Sequence, residues 1–236
     1  TNRYGATAVM FAAAAHANDA LAWLLDHGLS ATNTTPSGKT AIFFACNAIE
    51  RPIKEAKAIE ILLKHGARAT VRDRFGHTPL HYAAITRNHP AIEALLAGGA
   101  DLEARTPRGR TPLAAAVQYA DPETVEFLLR HGAKPDNALN NGATPLMLTF
   151  FQTVCDWDRA MSNALVRAGA NPNRKDRRGA GYAAYLAMWP NGGTKGVPGS
   201  LIVDNDGDTA FMYRMTARWE DAYRLFHCRD YLERQR

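Results

Sequence analysis

One phrase returns along the chain with small changes: Gly38-Lys-Thr-Ala-Ile-Phe, Gly76-His-Thr-Pro-Leu-His, Gly109-Arg-Thr-Pro-Leu-Ala and Gly142-Ala-Thr-Pro-Leu-Met. The glycines at 76, 109 and 142 stand 33 residues apart. A fixed period of that length predicts supersecondary units stacked along one axis, because a single unit cannot bury its apolar face without its neighbours. The 236 residues are therefore to be counted in units and need not fill one closed globule.

The third unit shows what each unit holds. It reads Asp73-Arg-Phe-Gly-His-Thr-Pro-Leu-His-Tyr-Ala-Ala84, then Ala91-Ile-Glu-Ala-Leu-Leu-Ala-Gly-Gly-Ala-Asp101. Thr78 suits a helix N-cap, and Pro79 suits the first turn, where no N–H bond is owed. Leu80, Ala83 and Ala84 give a helix face that neighbours can approach closely. A second helix carries Leu95-Leu96, and Gly99 ends it in the left-handed conformation. This pattern closely resembles the ankyrin repeat, and its frame fits nearly the whole chain. The resemblance implies an all-α solenoid of helix-turn-helix units with short β-hairpin-like fingers. The expected units are 2–34, 35–72, 73–105, 106–138, 139–175, a degenerate 176–203 and a C-terminal cap 204–236.

Departures from the period are informative. Gly38 to Gly76 spans 38 residues and Gly142 to Gly179 spans 37. The extra residues fall around Ile49–Ile53 and Thr153–Asp158, where they lengthen the turn between two helices. Residues 190–200 run Pro-Asn-Gly-Gly-Thr-Lys-Gly-Val-Pro-Gly-Ser, a composition that cannot hold the second helix expected there. The last unit has Thr209-Ala-Phe-Met in place of Thr-Pro-Leu-His and many charges in its final helix, as a capping unit facing water would.

No apolar run approaches the roughly 18 residues that a membrane span needs. Cys46, Cys155 and Cys228 are odd in number and far apart, which fits neither a disulfide framework nor zinc-ligand spacing. This usage favours a reducing, cytoplasmic setting over an exported or periplasmic one, which a staple-free solenoid also permits. The chain opens at Thr1, with Asn2 already at the start of a unit, so upstream sequence is expected to have been removed.

A search for chemistry finds no catalytic or metal constellation. His27, His65 and His131 each precede the glycine that ends a second helix, where an imidazole can bond the last carbonyls and complement the helix dipole. His81 sits in the slot where the ankyrin pattern commonly has histidine, which implies a hydrogen bond between units. Asp204-Asn-Asp-Gly-Asp208 resembles a calcium loop, but the register places Ile202 and Tyr213 at its first and twelfth ligand positions. Gly192-Gly-Thr-Lys-Gly196 lacks the order of a phosphate loop. No enzyme activity, metal or cofactor is expected.

The charges carry more. The net charge is +5 and the isoelectric point about 9.2. The residues around the turn glycines are strongly basic: Arg72, Arg74 and His77, then Arg105, Arg108 and Arg110, then Arg174, Lys175, Arg177 and Arg178. Glu93, Glu123 and Glu126 fall on second helices. In the ankyrin architecture, which the resemblance implies, the turn positions are projecting tips above a concave groove. Its groove positions here include Ala14-Ala15, Ile85-Thr86, Gln118-Tyr119 and Phe151-Gln152.

Aromatic side chains beside arginines are the usual makeup of a binding hot spot. The expected contact set is Arg74, Phe75, His77, Arg108, Arg110, Tyr119, Phe151, Trp157, Arg177 and Arg178. The expected function is a monomeric, non-enzymatic scaffold for a protein partner with an acidic surface, such as a bacterial inhibitor or immunity protein. Two rivals are nucleic-acid binding along the basic stripe and an enzyme using loop 190–200. The first lacks a recognition motif and a stacking platform.

Overall fold

The computed structural model describes residues 2, 5–46, 56–119, 122–149 and 157–182. The insertion at 49–53, Phe151, loop 190–200, the expected cap 204–236 and all but the first residues of unit 176–203 lie outside the described residues.

Within the described residues, helices alternate between two rows. The inner row is α1 (Ala8–Ala14), α3 (Ala41–Cys46), α5 (Pro79–Ile85), α7 (Pro112–Tyr119) and α9 (Pro145–Leu148). The outer row is α2 (Asn18–Asp26), α4 (Lys57–Lys64), α6 (His89–Ala97), α8 (Pro122–Arg130) and α10 (Trp157–Arg167). Each inner helix packs on the next inner helix and on the outer helix of its own unit. The core is a continuous seam. Ala13, Cys46, Ala84 and Val117 close the inner row, Leu62, Leu95, Leu128 and Leu165 close the outer row, and all eight are fully buried. Small residues on the inner helices let successive backbones approach closely, which is why alanine recurs there.

Between an outer helix and the next inner helix the chain makes the same finger each time. In the third unit the Gly76 N–H donates to Asp73 O at 2.9 Å and the Asp73 N–H to His77 O at 2.9 Å. The same pair joins Thr35, Gly38 and Lys39; Thr106, Gly109 and Arg110; Leu139, Gly142 and Ala143; and Asp176, Gly179 and Ala180. The fingers are turns closed by these two bonds. The described residues contain no strand, only an isolated antiparallel bridge between Lys175 and Gly181. Gly142 shows why the turn residue is glycine: its φ is 86°, and a Cβ there would stand 2.7 Å from the backbone nitrogen of Arg177 on the next finger.

Neighbouring fingers are tied two residues before each glycine. Arg74 N–H donates to Ser37 O, Asn140 N–H to Arg108 O and Arg177 N–H to Asn141 O, each at 3.0 Å. Pro107 holds the equivalent place in the fourth finger and has no N–H to give. There the Arg72 guanidinium supplies the tie, donating to Gly76 O at 2.9 Å and to Arg105 O at 2.7 Å. Arg105 in turn reaches Ala138 O at 2.6 Å, and Arg174 reaches Asp136 O at 3.1 Å. These three arginines of the basic stripe therefore have a structural task. The helix-end histidines behave as their placement predicts at two sites: the imidazoles of His27 and His131 bond Trp23 O and Phe127 O, each at 2.8 Å. His65 instead meets the Asp26 carboxylate of the preceding unit at 3.1 Å.

Candidate functional site

One position after each turn glycine, at the entrance to α3, α5 and α7, stand Lys39, His77 and Arg110. The stacking of units turns this sequence column into a row of side chains. Six positions after the glycine, on the inner helices, stand Phe44 and Tyr82, and Tyr82 lies beside the row. The Lys39 ammonium lies 4.4 Å from the Tyr82 ring centroid, and the Arg110 guanidinium lies 5.9 Å from that of Tyr119. The His77 ring meets Tyr82 edge-on at 6.0 Å. Cations over aromatic faces gain about 0.5–1 kcal/mol each when exposed and more when desolvated.

Beneath the row lies Asp73, whose side chain is fully buried. Its Oδ1 accepts the N–H groups of Phe75 and His77, each at 2.9 Å, and its Oδ2 accepts the Tyr82 hydroxyl at 2.9 Å. Burial and this carboxylate together push the Tyr82 phenol well up, so it remains a donor. The carboxylate is consumed in building the finger. His77 Nδ1 stands 3.7 Å from Asp73 Oδ1, beyond a hydrogen bond. Burial lowers the His77 pKa; Asp73 opposes that shift, and Arg110 and Lys39 add to it.

His81 locks the floor of the site. Its Nε2–H donates to Arg110 O at 3.0 Å, while Nδ1 accepts the Thr78 N–H at 3.2 Å and the Thr78 hydroxyl at 2.9 Å. This fixes the neutral tautomer and bridges the third and fourth units, as the resemblance implies. Burial first, with neighbouring cations adding, pushes its pKa down to about 4, against the raising effect of the Arg110 bond.

The expected contact residues divide by place. His77, Arg110 and Tyr119 come together in the row. Arg74 and Phe75 form a neighbouring tip, with the guanidinium 4.6 Å from the ring centroid and Phe75 53% exposed. Arg108 is exposed on the next tip, and Arg177 and Arg178 are exposed on the finger after α10. Trp157 opens α10, whereas the sequence spacing places it in the inserted turn. Phe151 lies outside the described residues.

Lys39, Phe44 and Tyr82 were missed. The signal existed, since Lys39 shares the repeat column of His77 and Arg110, and Phe44 and Tyr82 share another, but a reading by exposed tips passes over it. Exposed carboxylates lie on the outer helices: Glu60 on α4, Glu93 on α6, and Glu123 and Glu126 on α8. Glu103 is engaged by the Lys134 N–H at 2.7 Å and by the Asn137 amide. Among the described residues, no group of three His, Cys, Asp or Glu side chains could hold a metal ion. None of the described helices is long and apolar enough to cross a membrane. The Cys46 thiol is fully buried and its pKa pushed up by that burial, which leaves it unreactive.

Comparison with known proteins agrees with this architecture. The family model for ankyrin repeats, in three copies, matches residues 47–138 and 91–176, which together span more than half of the chain. No curated protein matches in sequence. Among solved structures the chain is similar to the ankyrin repeat domain of Bcl-3, described as a unique member of the IkappaB protein family. The TM-score is 0.68 and the identity 25%, over 78% of this chain and 79% of that one.

Proposed function

Because the chain belongs to the ankyrin-repeat family, we propose that it is a non-enzymatic scaffold that captures a protein partner with an acidic surface. The partner lies along the finger tips and groove of units two to four. Ankyrin repeats are in general protein–protein interaction modules, and the fold by itself names no partner. The observation that carries the proposal is the row Lys39, His77 and Arg110 over Tyr82 and Tyr119, with exposed carboxylates gathered on the opposite helices. Isolated surface ion pairs contribute only about 0–1 kcal/mol each. Lys39 and Arg110 already lie over aromatic rings, and Tyr82 is fixed by the buried Asp73 carboxylate, so less entropy is lost on binding. Inhibition of a bacterial partner enzyme is the particular form of this role that we favour.

The test is capture from the host lysate by the intact chain beside a Lys39→Glu/Arg108→Glu/Arg110→Glu variant, with bound species read by mass spectrometry. The reading expects a protein that is retained by the intact chain, lost with the variant and weakened by salt. Adding the chain to that protein at equimolar ratio and losing its activity would support inhibition. Identical profiles would overturn the cationic row as the docking surface, and recovery of nucleic acid alone would replace a protein partner with the rival reading.

A further inference from the structure

Resting on that reading, we infer that the occupant of the groove is an acidic segment in the polyproline II conformation, with a carboxylate at every third residue. The row Lys39, His77 and Arg110 repeats once per unit, at the entrances to α3, α5 and α7, which pack directly on one another. Packed helices lie about 8–10 Å apart, and the alanine-rich contact favours close approach. A polyproline II chain has three residues per turn and rises about 3.1 Å per residue, so side chains three apart point the same way at a spacing of about 9.3 Å.

A β-strand fits less well. Its residues three apart lie about 10 Å apart but point to opposite faces, and its same-face neighbours lie only about 6.6 Å apart. An α-helical partner rises about 5.4 Å per turn and could match the row only at alternate turns. Three carboxylates in polyproline II register would therefore meet Lys39, His77 and Arg110 in order.

The groove's other surface fits the same occupant. Proline-rich segments dock on aromatic walls, and here Tyr82 stands beside Lys39 and Tyr119 beside Arg110. The middle position has a built-in reporter. His77 is faced by Asp73, Tyr82 and His81 of its own unit, by Lys39 of the preceding unit and by Arg110 of the following one. A carboxylate arriving there favours the imidazolium, so docking in register takes up a proton.

The experiment uses two fluorescent peptides of identical composition, four Glu-Pro-Pro repeats and an isomer with its four glutamates in one block. Both are titrated into the intact chain and followed by anisotropy and by calorimetry in buffers of different ionisation heat. The expected result is at least tenfold tighter binding of the periodic peptide. Proton uptake should accompany it and disappear in His77→Phe, while Lys39→Gln/Arg110→Gln loses the preference. Equal affinity for the two peptides, or binding without proton uptake, would overturn the register while leaving acidic capture standing. Failure of both peptides, with a lysate protein still lost in the Lys39/Arg108/Arg110 variant, would overturn the polyproline II occupant alone. Failure of both peptides together with an unchanged lysate profile would overturn this inference and the reading on which it rests.

Discussion

The outer helices of the first and third units have the same length and share an alanine and a Leu-Leu pair in register, and the structure treats those positions differently. Four residues before the terminal glycine, Leu95 of the third unit is fully buried, whereas Leu24 of the first is only partly buried. Eight residues before it, Ala91 is fully buried and Ala20 is exposed. Trp23 of the first unit is 58% exposed, whereas its counterpart Ala94 is partly covered. Burial in this molecule is thus granted by the preceding unit as much as by the residue. Stability is distributed along the stack, with interior junctions worth more than the first face.

The largest expected effect tests that difference directly. Leu95→Ala should cost about 2–5 kcal/mol, because it opens a cavity in a closed seam. Leu24→Ala should cost about 1 kcal/mol or less, as partly exposed positions do. Urea unfolding followed by circular dichroism would measure both, and equal losses would break the comparison.

Next comes the junction between units three and four. His81 is neutral and buried there, whereas the equivalent position of the first unit is Met10, which does not titrate. An unfolded histidine titrates near its ordinary value of about 6.5. Because folding lowers that pKa to about 4, the stability owed to a neutral His81 is complete above pH 6.5. It declines as the pH falls and is gone below about pH 4. Each tenfold change in proton affinity is worth about 1.4 kcal/mol, so about 3 kcal/mol is at stake across the window. His81→Gln should flatten the fall in unfolding free energy between pH 6.5 and 4.5; an unchanged slope would assign it to other groups.

A smaller effect separates two arginines of the same finger. Arg72 ties the third finger to the fourth through two carbonyls, so Arg72→Met should cost about 1 kcal/mol in stability. Arg74 is exposed over Phe75, so Arg74→Met should change stability by less than about 0.5 kcal/mol and should instead weaken partner capture. The same variants read in unfolding and in capture would expose a reversed assignment.

These cases show what the sequence could reveal and where it stopped. The period, the Thr-Pro caps and the Leu-Leu pairs are local chemistry repeated in register, so helices, turns and units were legible without coordinates. The role of His81 was legible too, through the resemblance to the ankyrin pattern, which implies a bond between units at that slot. The division of the basic stripe was not. Arg72 and Arg74 are two residues apart and equally charged, and only the stacked fingers show that Arg72, like Arg105 one unit on, reaches a backbone carbonyl of the next unit. Lys39 and Tyr82 escaped for a related reason: their meeting is a contact between units two and three, visible only when columns are read across the stack.

The smallest expected effect concerns the turn between paired helices, where the two compared units agree. His16 and Arg87 stand at equivalent positions, with φ of 50° and 59°, in the left-handed region that favours glycine. A side chain there costs about 1–2 kcal/mol, while glycine returns about 0.4–1 kcal/mol through the greater freedom of its unfolded chain. Arg87→Gly relieves that strain but also forfeits an interaction that Arg87 makes, so it should stabilise the fold by less than about 0.5 kcal/mol. His16→Gly should stabilise it more, since it also removes a buried ring nitrogen, Nε2, that has no hydrogen-bond partner. Unfolding midpoints that rise in both variants, and further for His16→Gly, would make this strain a shared property of the repeat. A rise at only one site would show that the units differ in their turns as they do in their burial.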